Sequence, residues 1–156
     1  MIDEISMEIL KILQEKARIP NVEVSRQIGL APSAVLERIR KMEKQGIIDG
    51  YEVRLNPEMF GGGQISFIHI EAEPHSYAEN CLAELLSDIP EVQEVHHIAG
   101  KDGYLIKVRT AGTHQLGQLI KRKILVLDGV RTTSTTTVLE THKETSKIPL
   151  KNGKGE

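Results

Sequence analysis

The apolar residues of this chain change their period at one place, and that change restricts the possible folds more than any other feature. Before "LNPEMFGGG" (residues 55–63) they recur at helical spacing; after it they fall in strand-length runs. The stretch itself joins Asn56-Pro57 to three consecutive glycines, a combination that stops either kind of element and reads as a hinge. A chain of 156 residues divided in this way predicts two small domains, 1–54 and 64–143, separated by a hinge at 55–63 and followed by a polar, mobile tail at 144–156.

In the first part, Ile5, Ile9, Ile12 and Leu13 lie at i, i+4, i+7 and i+8, one face of a helix over residues 3–16 with Asp3 as its N-cap. Pro20 and Asn21 break that pattern and begin a short second helix, "VEVSRQI". Gly29 follows, where the missing Cβ permits the left-handed backbone of a sharp turn. Pro32 then stands where a first helical residue needs no N–H, and a third helix buries Val35, Ile39 and Met42, with Leu36 beside them, before ending at Gly46. "IIDGYEVRLNP" adds a short extended segment, a small β element.

A short helix, a glycine turn and a second helix make a helix-turn-helix, in which the later helix enters the major groove of DNA by its N-terminal end. Charge is segregated to match. Between Val24 and Gly46 the bases Arg26, Arg38, Arg40, Lys41 and Lys44 face only the acids Glu37 and Glu43, a net +3, whereas residues 1–23 are net −2. A cationic surface gains affinity for phosphates by releasing counterions. The expected division of labour places Ser33, Ala34, Glu37 and Arg38 against bases, with Pro32 opening the helix. Arg26, Arg40, Lys41 and Lys44 are placed against phosphates, with sideways packing as the alternative for Arg40.

Beyond the hinge, "QISFIHIEAE" reads as a strand and "SYAENCLAELLSDI" as a helix opened by a capping box of Ser76 and Glu79. "EVQEVHHIAG" and "YLIKVRT" are strands around a tight connection, "THQLGQLIKRKIL" is a helix, and the Thr-rich "VRTTSTTTVLETH" is a last strand. The order β-α-β-β-α-β is that of a ferredoxin-like unit, so the fold class is α+β: a winged helix-turn-helix followed by a ferredoxin-like domain. The first strand is apolar on both faces, Ile65 and Phe67 on one and Ile68 and Ile70 on the other. Helices cover only one face, so the other is expected to meet a second copy of the chain.

The remaining features exclude more than they suggest. A single cysteine, Cys81, rules out an internal disulfide and reads as a small core residue on the apolar side of its helix. The acid-bearing N-terminus is unlike a signal peptide, and no apolar run approaches the ~18 residues that a membrane helix needs. The expectation is a soluble intracellular protein, cytoplasmic and nucleoid-associated, with no membrane partner. His96 and His97 point to opposite strand faces and cannot chelate one ion together, and no metal, cofactor or nucleophile–base set is expected. Gly61–Gly63 lacks the Lys-Ser/Thr of a phosphate loop. The alternating hydroxyls of the Thr run, Thr133 and Thr135 among them, are first a β-propensity feature and second a candidate ligand surface.

With these residues in place, the chain resembles the Lrp/AsnC (leucine-responsive, feast/famine) transcription regulators from Ile2 to about Pro149. "ILQEKARI", "LERIRKMEKQGII", "GYEVRLNP" and "EVQEVHHIAGKDGYLIKVRT" carry the likeness. The resemblance implies binding to double-stranded DNA as a homodimer that assembles further, as a tetramer of dimers, and a small effector such as an amino acid held between dimers. It also implies an effector region at Gly100, Lys101, Asp102, Gly103 and Tyr104, with Thr133 and Thr135 nearby. Three departures stand out. Ala31 replaces the usual Ser before the recognition-helix Pro, and Ser6 replaces a second acid of the first helix. Gly100-Lys101-Asp102-Gly103-Tyr104 lacks both aspartates of the usual Gly-Asp-x-Asp-Tyr, which predicts a non-standard effector or none. Sirohaem decarboxylases share this architecture and supply the enzymatic alternative, for which His96, His97 and Arg109 are the nearby candidates.

Overall fold

The computed structural model describes residues 2–74, 81–100 and 103–150. The chain divides into two compact units, Met1–Arg54 with Glu144–Glu156, and Leu55–Lys143.

The first unit holds helices α1 (Glu4–Glu15), α2 (Asn21–Ile28) and α3 (Pro32–Lys44). Asp3 caps α1 as expected, accepting a hydrogen bond from the Ser6 N–H at 2.8 Å. Gly29 ends α2 at φ +71°, a left-handed position that L side chains adopt only at a cost. Pro32 opens α3 after Ala31, which has no side-chain oxygen and makes no cap bond. Ile9, Leu10 and Leu13 of α1 close on Val24 of α2 and on Val35, Ile39 and Met42 of α3. Full burial of such a side chain is worth about 1.5–3 kcal/mol, and these contacts hold three short helices that would fray in isolation.

Two expectations for this unit are corrected. Residues 51–56 form no ladder, so the small β element is extended chain with no partner strand among the described residues. Tyr51, Val53 and Leu55 alternate along it with their side chains exposed. Residues 144–150 do not form a free tail. They lie against α1, where Leu150 joins the apolar cluster and the Gln14 amide bonds the Ile148 backbone.

The second unit is a four-stranded antiparallel sheet of β1 (Gln64–Ala72), β2 (Val92–Ile98), β3 (Gly103–Thr110) and β4 (Val130–Thr137), in the order β2-β3-β1-β4. Two helices, α4 (Cys81–Ser87) and α5 (Thr113–Leu119), complete the ferredoxin-like topology. Ile68, Ile70 and Ala72 of β1 and Tyr104, Ile106 and Val108 of β3 share one sheet face. They pack with Leu82, Leu86, Leu116, Leu119 and Ile124 into a single core. A π-helical turn, Ile120–Ile124, continues α5; its five-residue step brings both Leu119 and Ile124 to the core. Pro57–Phe60, inside the expected hinge, forms a single 3-10 turn. The capping box of Ser76 and Glu79 lies outside the described residues. Cys81, expected in the core, is exposed; Leu82 and Leu86 take the buried positions of α4.

Candidate nucleic-acid interface and effector region

Helical geometry sorts the side chains of α3. Val35, Ile39 and Met42 recur at i, i+4 and i+7 and are buried. The opposite stripe, at i, i+4, i+7 and i+11, is Ser33, Glu37, Arg40 and Lys44, with Lys41 beside it, and all five are exposed. Arg40, Lys41 and Lys44 have no ion-pair partner among the described residues. Ala34 is half-buried on the flank.

Arg38 departs from its expected place. It sits next to the buried stripe and turns toward α1, where its Nη1 donates to Asp3 Oδ2 at 2.6 Å and to Ser6 Oγ at 3.1 Å. That guanidinium, the bond from the Ser6 N–H and the Ser6 hydroxyl hold the Asp3 carboxyl down to about 2. Arg38 is therefore a tie between α3 and α1, and Arg40, for which sideways packing was the alternative, stands on the open stripe. Arg26 also has a partner, Glu23 at 3.3 Å on its own helix, although both remain exposed. Tyr51 donates to Glu43 Oε1 at 2.9 Å; burial, then this bond to an acid, pushes its phenol up to about 12. Glu43 is thereby turned toward the segment after α3, and Glu37 is left as the one acid on the outward stripe.

In the second unit Gly100 is left-handed at φ +98°, and Lys101 and Asp102 lie outside the described residues. Gly103 begins β3 where a Cβ would collide with the Ile70 carbonyl, so only glycine lets the loop enter the sheet there. Tyr104 is buried and its ring lies 5.2 Å from that of His97. The register sets His97, Tyr104, Ile70 and Thr133 in one row across the sheet on the helix-bearing face. Thr135 lies one row further along β4, opposite Ile68, and is exposed. The structure thus gathers Gly103, Tyr104 and His97, sets Thr133 two strands away, and leaves Thr135 apart. His97 was not among the effector candidates; its register with Tyr104 is a tertiary fact without a local signal.

The helix-free face carries Ile65, Phe67, His69 and Glu71 of β1, Leu105, Lys107 and Arg109 of β3, and Glu94 and His96 of β2. Glu94 binds His96 at 3.2 Å and Lys107 at 3.1 Å, and these two partners hold its carboxyl below the usual range. Arg109 donates to Gln93 at 2.9 Å and to the Gly62 carbonyl at 3.0 Å. His69 buries Nε2 with no hydrogen-bond partner among the described residues. As expected, His96 and His97 occupy opposite faces.

Comparison with known proteins agrees with the two-part fold. A winged helix-turn-helix DNA-binding domain matches residues 2–49, and an Lrp/AsnC ligand binding domain matches residues 65–148. The HTH-type transcriptional regulator FL11 of Pyrococcus horikoshii is 36% identical over 150 residues, covering 96% of this chain and 97% of that one. The leucine-responsive regulatory protein of Haemophilus influenzae is 35% identical, covering 96% and 91%. The crystal structure of a transcriptional regulator from Neisseria meningitidis in complex with L-Met superposes with a TM-score of 0.90 at 29% identity, covering 96% and 97%. These relatives are named as regulators, and the enzymatic alternative finds no support among them.

Proposed function

The chain belongs to the Lrp/AsnC family of transcriptional regulators, and from that premise we propose that its first unit grips duplex DNA by the outward face of α3 while its second unit pairs copies and receives a small effector. One observation carries the DNA reading: Arg40, Lys41 and Lys44 are exposed on the helix that follows the Gly29 turn and have no ion-pair partner among the described residues. Ser33, Glu37 and Arg40 would meet base edges, and Lys41, Lys44 and Arg26 would meet phosphates. Such a protein works at the nucleoid.

Self-association follows from the helix-free sheet face. Phe67, 36% exposed, gains contacts only if something covers it, and a second copy presents the same face. The family's further assembly, a tetramer of dimers, is proposed on the same basis. Gly103 and Tyr104 mark the proposed effector region, with Thr133 of β4 in the same row two strands away and Thr135 further off. An amino acid would need acceptors for its ammonium and N–H donors for its carboxylate. With the usual aspartates replaced by Lys101 and Gly103, a non-standard effector, or none, is expected.

Salt-titrated binding to genomic fragments tests the DNA reading. Affinity is expected to fall steeply with ionic strength, with a log–log slope of about 0.9 per phosphate neutralised. A flat profile would sink the reading. Calorimetry against the twenty amino acids tests the effector argument, which a tight response to leucine or asparagine would overturn.

A further inference from the structure

The C-terminal end of α1 presents a surface that reads extended main chain, and residues 144–150 occupy it. Gln14 makes both backbone bonds of Ile148: Nε2 donates to the Ile148 carbonyl at 3.1 Å, and the Ile148 N–H donates to Oε1 at 2.9 Å. A neighbouring strand would offer the same pair of bonds; here a side-chain amide, carrying both donor and acceptor, supplies them. Lys147 Nζ reaches Glu15 at 2.7 Å, and Leu150 packs against the apolar cluster of the three helices. Arg54 Nη2 donates to the Glu144 carbonyl at 3.1 Å. The chain passes between its two units at 54–55 and again at 143–144, so this bond ties the two passages together.

We propose that residues 144–150 are a latch: a peptide ligand of α1, supplied by the same chain, that gives the DNA-binding unit a second connection to β4. A unit held at two points explores fewer positions than one held by a single strand. In a dimer, the latch therefore raises the effective concentration of one recognition helix at the second half of a paired site. The DNA consequence rests on the function proposed above, whereas the latch itself does not.

Hydrogen exchange on the full chain tests the latch directly. Gln14→Leu keeps a good helix former and removes both bonds, so exchange of the Ile148 amide is expected to quicken about tenfold with the α3 amides unchanged. Gln14→Glu still accepts from the Ile148 N–H but cannot donate to its carbonyl, and is expected to fall between. An Ile148 amide that already exchanges at the unprotected rate in the native chain, or is indifferent to Gln14→Leu, overturns the proposal. Glu15→Lys and Lys147→Glu establish whose strap docks. Protection is expected to return when both changes share one chain, and not when the single variants are mixed. Recovery on mixing would mean that copies exchange straps, which overturns the assignment to the same chain.

For the coupling, duplexes enriched from random sequence by the intact chain are compared with versions cut to a single half-site. Gln14→Leu is expected to weaken the paired duplex roughly three- to tenfold and to leave the single half-site unchanged. Equal effects on both overturn the coupling. A native chain that binds neither duplex overturns the DNA reading instead, a result separate from the exchange measurement.

Discussion

Arg38 and Arg40 stand two residues apart on α3 and do different work. Arg38 holds α3 against the start of α1 through Asp3 and Ser6, while Arg40 faces outward with Ser33, Glu37 and Lys44. Arg38→Ala is therefore expected to weaken binding to all DNA sequences by misplacing α3, whereas Arg40→Ala alters preference at one base position; selection from random duplexes separates the two. Lys44→Ala is expected to lower affinity uniformly and to reduce the salt slope by about one phosphate. The Arg38 tie also sets a pH dependence. Asp3 has a folded value of about 2 against an ordinary 3.8, so its contribution is complete above pH 4 and disappears as the pH falls through 2. Urea unfolding at a series of pH values is expected to show Asp3→Asn less stable than the native chain at pH 5, with the gap closing toward pH 2. Neither arginine's placement was legible in the sequence, because a net charge counts both alike and only the position of α1 neutralises one of them.

The helices of the first unit were legible as elements because each carries its own local signal: Asp3 caps α1, Gly29 ends α2 and Pro32 opens α3. Gly29 bears the turn between α2 and α3 in left-handed backbone, and an added Cβ would meet no atom within 4 Å. Gly29→Ala is thus expected to cost only the backbone term, about 1–2 kcal/mol, and Gly29→Asn less, as thermal unfolding would register. In the second unit Leu86 is fully buried between α4 and the sheet, and Leu86→Ala is expected to cost roughly 2–5 kcal/mol. The failures of reading also belong to this scale. "GYEVRLNP" has strand-like alternation, yet a strand needs a partner edge, and none pairs with it among the described residues. Cys81 sits one residue before Leu82, and helical phase alone decides which of the two faces the sheet.

For the whole molecule the question is which surfaces remain to be covered. The helix-free sheet face is proposed to meet its own copy, with Phe67 near the centre of β1. Phe67→Glu is expected to shift sedimentation from dimer to monomer and to abolish tight binding to paired sites while leaving the second unit folded; an unchanged dimer would exclude this face. The amino-acid order by itself determined the three helices of the first unit, the change from helical to strand patterning, the β-α-β-β-α-β path and the placing of positive charge after Gly29, because periodicity, caps and glycine turns act over a few residues. The tertiary structure alone decided that Arg38 is neutralised, that the His97 ring lies beside Tyr104, and that Gln14 grips Ile148 from 134 positions away along the chain. Each of these is a contact between distant residues with no local preference to announce it, and it exists only once the cores have brought the partners within bonding distance.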